Sequence, residues 1–318
     1  MYPLALQAIA AGSVADLFAA FDAAPHTLQR LQSWLASLFG GAPPEKVFTR
    51  ADAFPLLLLP WWLESSVRQP ALSLQRELAT SSISGYLYIR LIDNLMDGDA
   101  PADVSMLPSL SLLHTQFTDP FRKWFGHSHP FWEEFHGIWF ETAEVTLRDS
   151  TLDSIALSQF ETISARKTGA AKIPVAATAY SLNRSDLLSD WYRFIDRFGC
   201  WHQMVNDLFG FHKDLRNGNT TYLLSEGRQA AGPSESIESW FYRQGFNWAI
   251  QQLDGWMNEL RVIGARLGSP ELLSYLDSRH VSLHDQAARV RSGLEALAEI
   301  GRVVDLREER VGNPGEMR

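Results

Sequence analysis

The sequence has little cysteine, few signs of β-structure and no long hydrophobic run. A single cysteine, Cys200, stands among 318 residues, so no disulfide can form within the chain, which suits a reducing compartment. The longest apolar run, Phe54 to Leu63, is far shorter than the roughly 20 residues that a transmembrane helix needs. Strand-like alternation and hairpin dipeptides are scarce. These absences argue against a disulfide-stapled domain, an integral membrane segment and a β-rich fold.

Basic residues are outnumbered by acidic ones. The chain has 28 Lys and Arg against 37 Asp and Glu, a formal net charge of -9. Such a balance does not attract nucleic acid through the overall field, so an anionic substrate would need a local cluster of cations or bound metal. The N-terminal segment lacks a basic region and contains Asp16, so we expect no secretory signal and a cytoplasmic location.

Apolar residues recur at the three- and four-residue spacing of helices over most of the length. Hydrophobic residues make up 46% of the chain, enough for a large core. We therefore predict an all-α fold, with one helical domain over residues 1–302 and a flexible tail over 303–318. Helices are expected at roughly 3–21, 27–39, 71–97, 105–125, 130–148, 153–167, 170–182, 185–216, 235–267 and 270–301.

A first group of acidic residues closes a hydrophobic helix. The segment that starts at Ile83 ends in Asp93, Asn94 and Asp97, followed by Gly98. Asp93 and Asp97 share one helical face, where like charges repel and the negative end of the helix dipole adds to the penalty. Mg²⁺ would reverse both effects, because it is a hard cation that binds carboxylate oxygens. The alternative interpretation is a solvated acidic helix end.

A second polar stripe lies on a later helix. Asn206, Gly210 and Asp214 follow one another at four-residue spacing, with Lys213 beside the last, so an amide oxygen and a carboxylate face the same side. The rest of this segment is apolar over much of its circumference, which is typical of a buried helix. Buried Asn and Asp side chains need partners, which favours a metal site over a wet helix face. No HExxH or Cys/His spacing is present, so the sequence predicts no zinc site.

The two segments resemble the paired metal motifs of class I terpenoid synthases. The first is similar to their aspartate-rich DDxxD motif, with Asn94 in place of the usual second Asp. The second is similar to their NSE-type motif, with Gly210 in place of a Ser, Thr or Asp, an oxygen that a water can supply to Mg²⁺.

Further positions resemble trans-isoprenyl diphosphate synthases. Gly199, Gln203, Asn206 and Asp207 are similar to their second aspartate-rich motif, and the run that starts at Lys167, Lys-Thr-Gly, resembles their Lys-Thr pair, which contacts diphosphate. The resemblance covers residues 72–224.

The resemblance implies a helical bundle with a central active-site cavity and a Mg²⁺-dependent lyase of isoprenoid biosynthesis. Such a terpene synthase ionises a prenyl diphosphate, then rearranges or cyclises the carbocation. It would hold three Mg²⁺ ions, with Mn²⁺ as an alternative. The expected metal ligands are Asp93, Asp97, Asn206, Gly210 and Asp214, of which Asp93, Asn206 and Asp214 are also the expected catalytic residues.

Substrate contacts are expected from cations for the diphosphate and from aromatic or small residues for the prenyl chain. Ile89, Gly85 and Ser82 share the helical face of Asp93, and the small ones indicate room for a C15 or longer chain; close helix packing is the alternative explanation. The expected substrate-binding residues are Arg166, Lys167, Lys213, Arg279, Tyr88, Ile89, Gly85 and Trp201.

Two other functions remain open at this point. A trans-isoprenyl diphosphate synthase must bind a second diphosphate, and that family uses a Gly-Gly-Lys-Arg-like segment before the first motif and an Arg pair after it. Residues 98–107 contain no Arg, and Gly40-Gly41 is followed by no Arg until Arg50, which favours the terpene synthase. The retained acids argue against a non-catalytic regulatory partner. A homodimer is left open.

Overall fold

Helices account for nearly all the regular structure of the chain. The structure, a computed structural model, describes residues 2–149, 152–232 and 234–311. Those residues contain no strand, so the predicted all-α class is confirmed. The α-helices are α1 (Leu4–Ala20), α2 (Pro25–Leu38), α3 (Pro44–Phe48), α4 (Leu58–Val67), α5 (Leu72–Asp97), α6 (Leu107–Trp124), α7 (Phe131–Asp149), α8 (Leu157–Lys167), α9 (Lys172–Ser181), α10 (Leu188–Asn217), α11 (Tyr222–Ala230), α12 (Ile237–Trp240), α13 (Phe246–Arg266) and α14 (Pro270–Val311).

Three short helices, α3, α4 and α11, were not among the predicted ones. Helix α4 begins in the longest apolar run, and most of its residues are buried, so it lacks the amphipathic period by which helices are identified in a sequence. At the other end, α14 continues to Val311, and residues 312–318 of the predicted tail lie outside the described residues. None of the described helices is long and apolar enough to cross a membrane.

The two helices that carry the polar motifs lie at the centre of the packing. Helix α5 packs against α1 and α6, while α10 packs against α8 and α13. Each ends at a glycine with positive φ, Gly98 at 70° and Gly218 at 71°, a conformation that glycine adopts without steric cost. Asp97 and Asp214 therefore lie in the last turns of their helices.

Helix α10 comes very close to the residues that follow α8. A Cβ atom on Gly199 would lie 2.2 Å from Thr168 Oγ1. Thr168 is fixed in turn, because its hydroxyl donates to the Ser164 carbonyl at 2.9 Å. Glycine at position 199 thus sets the distance between α10 and the segment that contains Lys167.

We expect Gly199→Ala to lower the free energy of unfolding by about 1–3 kcal/mol, the usual cost of overpacking. Urea denaturation followed by circular dichroism measures it. Gly137→Ala is the matched control, because a Cβ there meets open space, and it should stabilise α7 by roughly 0.5–1 kcal/mol. Adding Thr168→Ala to Gly199→Ala should recover part of the loss. An unchanged midpoint for Gly199→Ala alone would contradict the close contact.

Candidate active site

A cavity of about 470 Å³ lies where α5, α10 and the segment after α8 meet. It combines polar groups of both motifs with apolar and aromatic side chains. Its polar lining includes Arg50, Asp52, Arg90, Asp93, Lys167, His202 and Asn206, and its apolar lining includes Phe48, Phe54, Tyr86, Ile89 and Phe117.

One wall is the face of α5 that leads to Asp93. Ser82, Gly85, Ile89 and Asp93 all line the cavity, as expected for residues that share a helical face. The Ser82 hydroxyl is buried and has no hydrogen-bond partner among the described residues. A Cβ atom on Gly85 would lie 2.8 Å from Phe117 Cδ2. Gly85 therefore lines the cavity and also lets α6 pack closely against α5.

The acidic end of α5 brings carboxylates and cations together. Arg90 Nη1 donates to Asp93 Oδ2 at 2.9 Å. Burial and the nearby Asp93 and Asp99 carboxylates raise the pKa of Asp97, while Lys167 and Arg90 act in the opposite direction. Carboxylates that repel one another in this way form a suitable ligand set for a hard cation.

Asn94, the middle residue of the first motif, faces away from the cavity. Its Oδ1 accepts from Trp34 Nε1 at 3.3 Å, and its Nδ2 donates to Asp99 Oδ2 at 3.1 Å. The side chain is buried, and both ends of the amide are used. A carboxylate here could not donate to Asp99, so an amide at this position stabilises the helix end that carries the two acids.

The stripe on α10 runs outward from the cavity. Asn206 lines it, and a Cβ atom on Gly210 would lie 3.2 Å from Asp214 Oδ2, so the stripe is continuous. Asp214 Oδ1 accepts from Asn219 Nδ2 at 2.8 Å. By contrast, Asp207 is buried and accepts from Gln203 at 2.8 Å. Within this motif, the side-chain oxygens that are not buried in the core are therefore those of Asn206 and Asp214.

Of the cations predicted to bind phosphate, Lys167 lines the main cavity. Arg166 is not part of that lining. Lys213 is exposed near the outer end of the α10 stripe.

Two cations of the cavity wall were missed by the sequence analysis. Arg90 lies one turn before Asp93, and this spacing was a signal that could have identified it. Arg50 Nε donates to Asp52 Oδ1 at 2.9 Å, and this hydrogen bond lowers the pKa of Asp52. Arg50 follows α3, far from either motif in sequence, so no local pattern places it here.

A second pocket of about 240 Å³ adjoins the cavity and shares Asp52, His202 and Asn206 with it. Arg279 lies in this pocket, only 6% exposed. Its Nη1 donates to the Ala53 carbonyl at 2.9 Å and to the Tyr275 hydroxyl at 2.8 Å. Its guanidinium lies 5.1 Å from the centroid of the Trp201 ring. Arg279 and Trp201 are thus brought together beside Asn206.

Tyr86 and Tyr88, two residues apart on α5, have different surroundings. Tyr88 contacts Trp139 at 5.5 Å and His114 at 5.4 Å between ring centroids, in a cluster between α5, α6 and α7. The cavity receives Tyr86 instead, since two residues along a helix point to different sides. Most aromatic residues of the cavity lining, such as Phe48, Phe54 and Phe117, come from segments that lie outside both polar motifs in the sequence.

His202 separates the two pockets. Its ring contacts Phe54 and Phe198, with centroids 5.5 and 6.2 Å away. Burial and the charge of Arg279 lower the pKa of His202 to about 4, against a smaller opposite effect of Asp52. The imidazole is therefore neutral at pH 7 and adds no positive charge to the cavity.

This arrangement of helices is the trans-isoprenyl diphosphate synthase-like class I terpenoid fold, as the motifs predicted. The chain is similar to the structure of a geranylgeranyl pyrophosphate synthetase from the archaeon Geoglobus acetivorans, with a TM-score of 0.57. The similarity covers 80% of this chain and 97% of that chain at 14% sequence identity, and it concerns the fold alone. No family model and no curated protein matches the sequence.

We expect His202 to reduce the stability of the fold as the pH falls from 6.5 toward 4. The unfolded chain binds a proton near the ordinary pKa, whereas the folded chain binds it only near the lowered one, so stability present above pH 6.5 is progressively lost. A change in pKa from 6.5 to about 4 corresponds to at most about 3 kcal/mol.

Urea unfolding at pH 7.0 and pH 4.5 tests this in wild type and His202→Phe. The difference in unfolding free energy between the two pH values should be smaller in the variant. His127→Phe, at an exposed histidine, is the control and should behave as wild type. Equal losses in wild type and His202→Phe would assign the pH dependence to other groups.

Proposed function

We propose that this protein is a terpene synthase. It would ionise one prenyl diphosphate with Mg²⁺, rearrange or cyclise the carbocation, and release pyrophosphate. The observation that carries the proposal is that the lining of the main cavity contains two kinds of surface. One kind is polar and charged and includes Asp93, Asn206 and Lys167, and the other is apolar and aromatic. A diphosphate requires the first kind of surface, and a prenyl chain requires the second.

The oxygen donors around the cavity suit Mg²⁺. Asp93 and Asp97 on α5, with Asn206 and Asp214 on α10, are carboxylate and amide ligands of the kind that hard cations prefer. Three ions are proposed, with Mn²⁺ as a substitute because it takes the same donors. When bound, the metal supplies Lewis-acid stabilisation of the leaving pyrophosphate.

Cationic side chains would bind the remaining phosphate oxygens. Lys167 supplies a point charge on the cavity wall. Arg90 now pairs with Asp93; when Asp93 binds a metal ion, Arg90 can turn toward an anion in the cavity. Arg279 is proposed to contact the diphosphate from the adjoining pocket, where it lies beside Asn206. Lys213 is proposed for the outer edge of the site, next to Asp214.

The apolar part of the cavity would hold the carbocation away from water. Phe48, Phe54, Tyr86 and Phe117 present aromatic rings, which attract a cation more strongly where water is excluded. Neutral His202 adds a further ring without repelling the charge. This composition supports a reaction in which a cation is kept long enough to rearrange.

A trans-isoprenyl diphosphate synthase is the second candidate function. The fold is compatible with both kinds of enzyme, and Arg50 on the cavity wall after Gly40-Gly41 favours this second candidate. Against it, Arg50 is paired with Asp52, and residues 98–107 supply no second basic cluster. A second diphosphate would therefore have fewer cations to bind.

The decisive experiment incubates purified protein and Mg²⁺ with C10, C15, C20 and C25 diphosphates, each with and without radiolabelled isopentenyl diphosphate. We expect pyrophosphate release and a rearranged or cyclic hydrocarbon or alcohol, with no label in the product. Excess EDTA should abolish turnover, and Asp93→Ala should reduce it by roughly 100-fold or more while the helical signal persists.

Asp119→Ala is the control for the loss of one carboxylate, because Asp119 is half exposed on α6 and outside both pockets. It should retain wild-type turnover. Label in a lengthened product would establish the prenyltransferase instead, and turnover in excess EDTA would refute the metal-dependent mechanism.

The α5 wall predicts a substrate of C15 or longer. Ser82 lies about two helical turns beyond Ile89 along this wall, so Ser82→Phe should fill the far part of the cavity. We expect it to lower turnover of the longest accepted diphosphate more than that of a shorter one. Thr80→Phe, a similar change in size at a partly exposed position outside the lining, should not alter this preference. Equal losses on every chain length, in a folded protein, would show that Ser82 does not bound the prenyl chain.

A further inference from the structure

Two histidines and one carboxylate converge between α13 and α14, outside both pockets. His280 and His284 lie one turn apart on α14, and Asp254 faces them from α13. His280 Nε2 is 2.7 Å and His284 Nε2 is 2.8 Å from the same oxygen, Asp254 Oδ1. The two Nε2 atoms are 3.1 Å apart. Three potential ligand atoms thus surround one point.

Both rings can donate to the one carboxylate oxygen of Asp254, which leaves their Nε2 atoms 3.1 Å apart with no hydrogen bond between them. The same spacing is close to that of neighbouring ligands around a metal ion. Metal–ligand distances of 2.0–2.1 Å place neighbouring ligand atoms about 2.9–3.4 Å apart in octahedral or tetrahedral sites. The observed separations are close to the lower end of this range, so a small outward movement of the side chains would admit an ion.

We propose that Asp254, His280 and His284 bind a first-row divalent cation, Zn²⁺ or one of similar preference, and thereby join α13 to α14. Two imidazoles and one carboxylate suit such ions, whereas Mg²⁺ prefers oxygen donors alone. The side chains are partly exposed, 36% for Asp254, 24% for His280 and 41% for His284. Solvent can therefore supply the remaining ligand, and the ion can enter without unfolding.

Arg261 limits the affinity of this site. Its Nη2 lies 3.1 Å from His280 Nδ1, and a guanidinium can only donate there. Once His280 Nε2 binds an ion, Nδ1 carries the ring proton, so Arg261 must withdraw. Asp277 already pairs with Arg261 at 2.9 Å and lies one helical turn before His280, and we assign it as the acceptor of that proton. Such a second partner orients metal-binding histidines in general.

The site is testable without any assay of turnover. Full-length protein without a histidine tag is stripped with EDTA, dialysed, and titrated with Zn²⁺ against a chromogenic chelator in millimolar Mg²⁺. We expect one Zn²⁺ per chain in wild type. His280→Gln and His284→Gln should each weaken binding at least tenfold, and Arg261→Met should strengthen it severalfold. Co²⁺ should give visible d–d absorption in wild type that is lost in the two histidine variants.

Matched controls locate the ion. His127→Gln removes an exposed histidine elsewhere, and Asp93→Ala removes a carboxylate of the main cavity; both should bind Zn²⁺ as wild type does. Circular dichroism verifies folding of each variant. Less than one-tenth equivalent bound by wild type would overturn the proposal, as would unchanged affinity in folded His280→Gln and His284→Gln. Because the proposed terpene synthase uses other residues, either proposal can fail without the other.

Discussion

The structure depends on holding carboxylates at the C-terminal ends of two helices that face one cavity. Asp97 on α5 and Asp214 on α10 both lie in a last turn, where the helix dipole disfavours negative charge. The raised pKa of Asp97 expresses the same conflict, since burial and neighbouring carboxylates oppose its ionisation. Hydrogen bonds from Arg90 to Asp93 and from Asn219 to Asp214 offset only part of this cost. A core packed around α5 and α10 supplies the remainder of the stability.

Adjacent polar residues within each motif have different tasks, because consecutive side chains on a helix diverge by about 100°. Asp93 lines the cavity while Asn94 is buried against Trp34. In the same way, Asn206 lines the cavity while Asp207 is buried and accepts from Gln203. The buried residues, Asn94 and Asp207, fix the rotation of each helix about its axis. That rotation directs the oxygens of Asp93 and Asn206 toward the cavity. The amide of Asn94 therefore serves the packing of α5 through its hydrogen bonds with Trp34 and Asp99.

The helical periodicity of the sequence predicted which residues of one helix share a face. It could not predict which residues of two different segments meet. The wall from Ser82 to Asp93 was predictable because its residues share a face of α5. Phe117 and Arg50 were not, since they reach the cavity from other segments. Tyr88 lies against Trp139 rather than in the cavity lining, because a helical face indicates the direction of a side chain but not the neighbour that it meets. The Asp254 cluster escaped for the same reason: its histidines are visible at four-residue spacing, but the carboxylate lies 26 residues away in sequence.

Helix α14 contributes both to the pocket beside the main cavity and to the cluster around Asp254. Arg279 and His280 are consecutive, so they leave the helix on sides about 100° apart. Arg279 enters the pocket beside Asn206, held by Ala53 and Tyr275, whereas His280 meets Asp254 on α13. The rotation of α14 therefore cannot change at one residue without changing at the other. Contacts between α13 and α14 thus help to fix the position of a buried guanidinium. In the proposed reaction that guanidinium contacts the diphosphate, and a preorganised charge needs no rearrangement when the anion arrives.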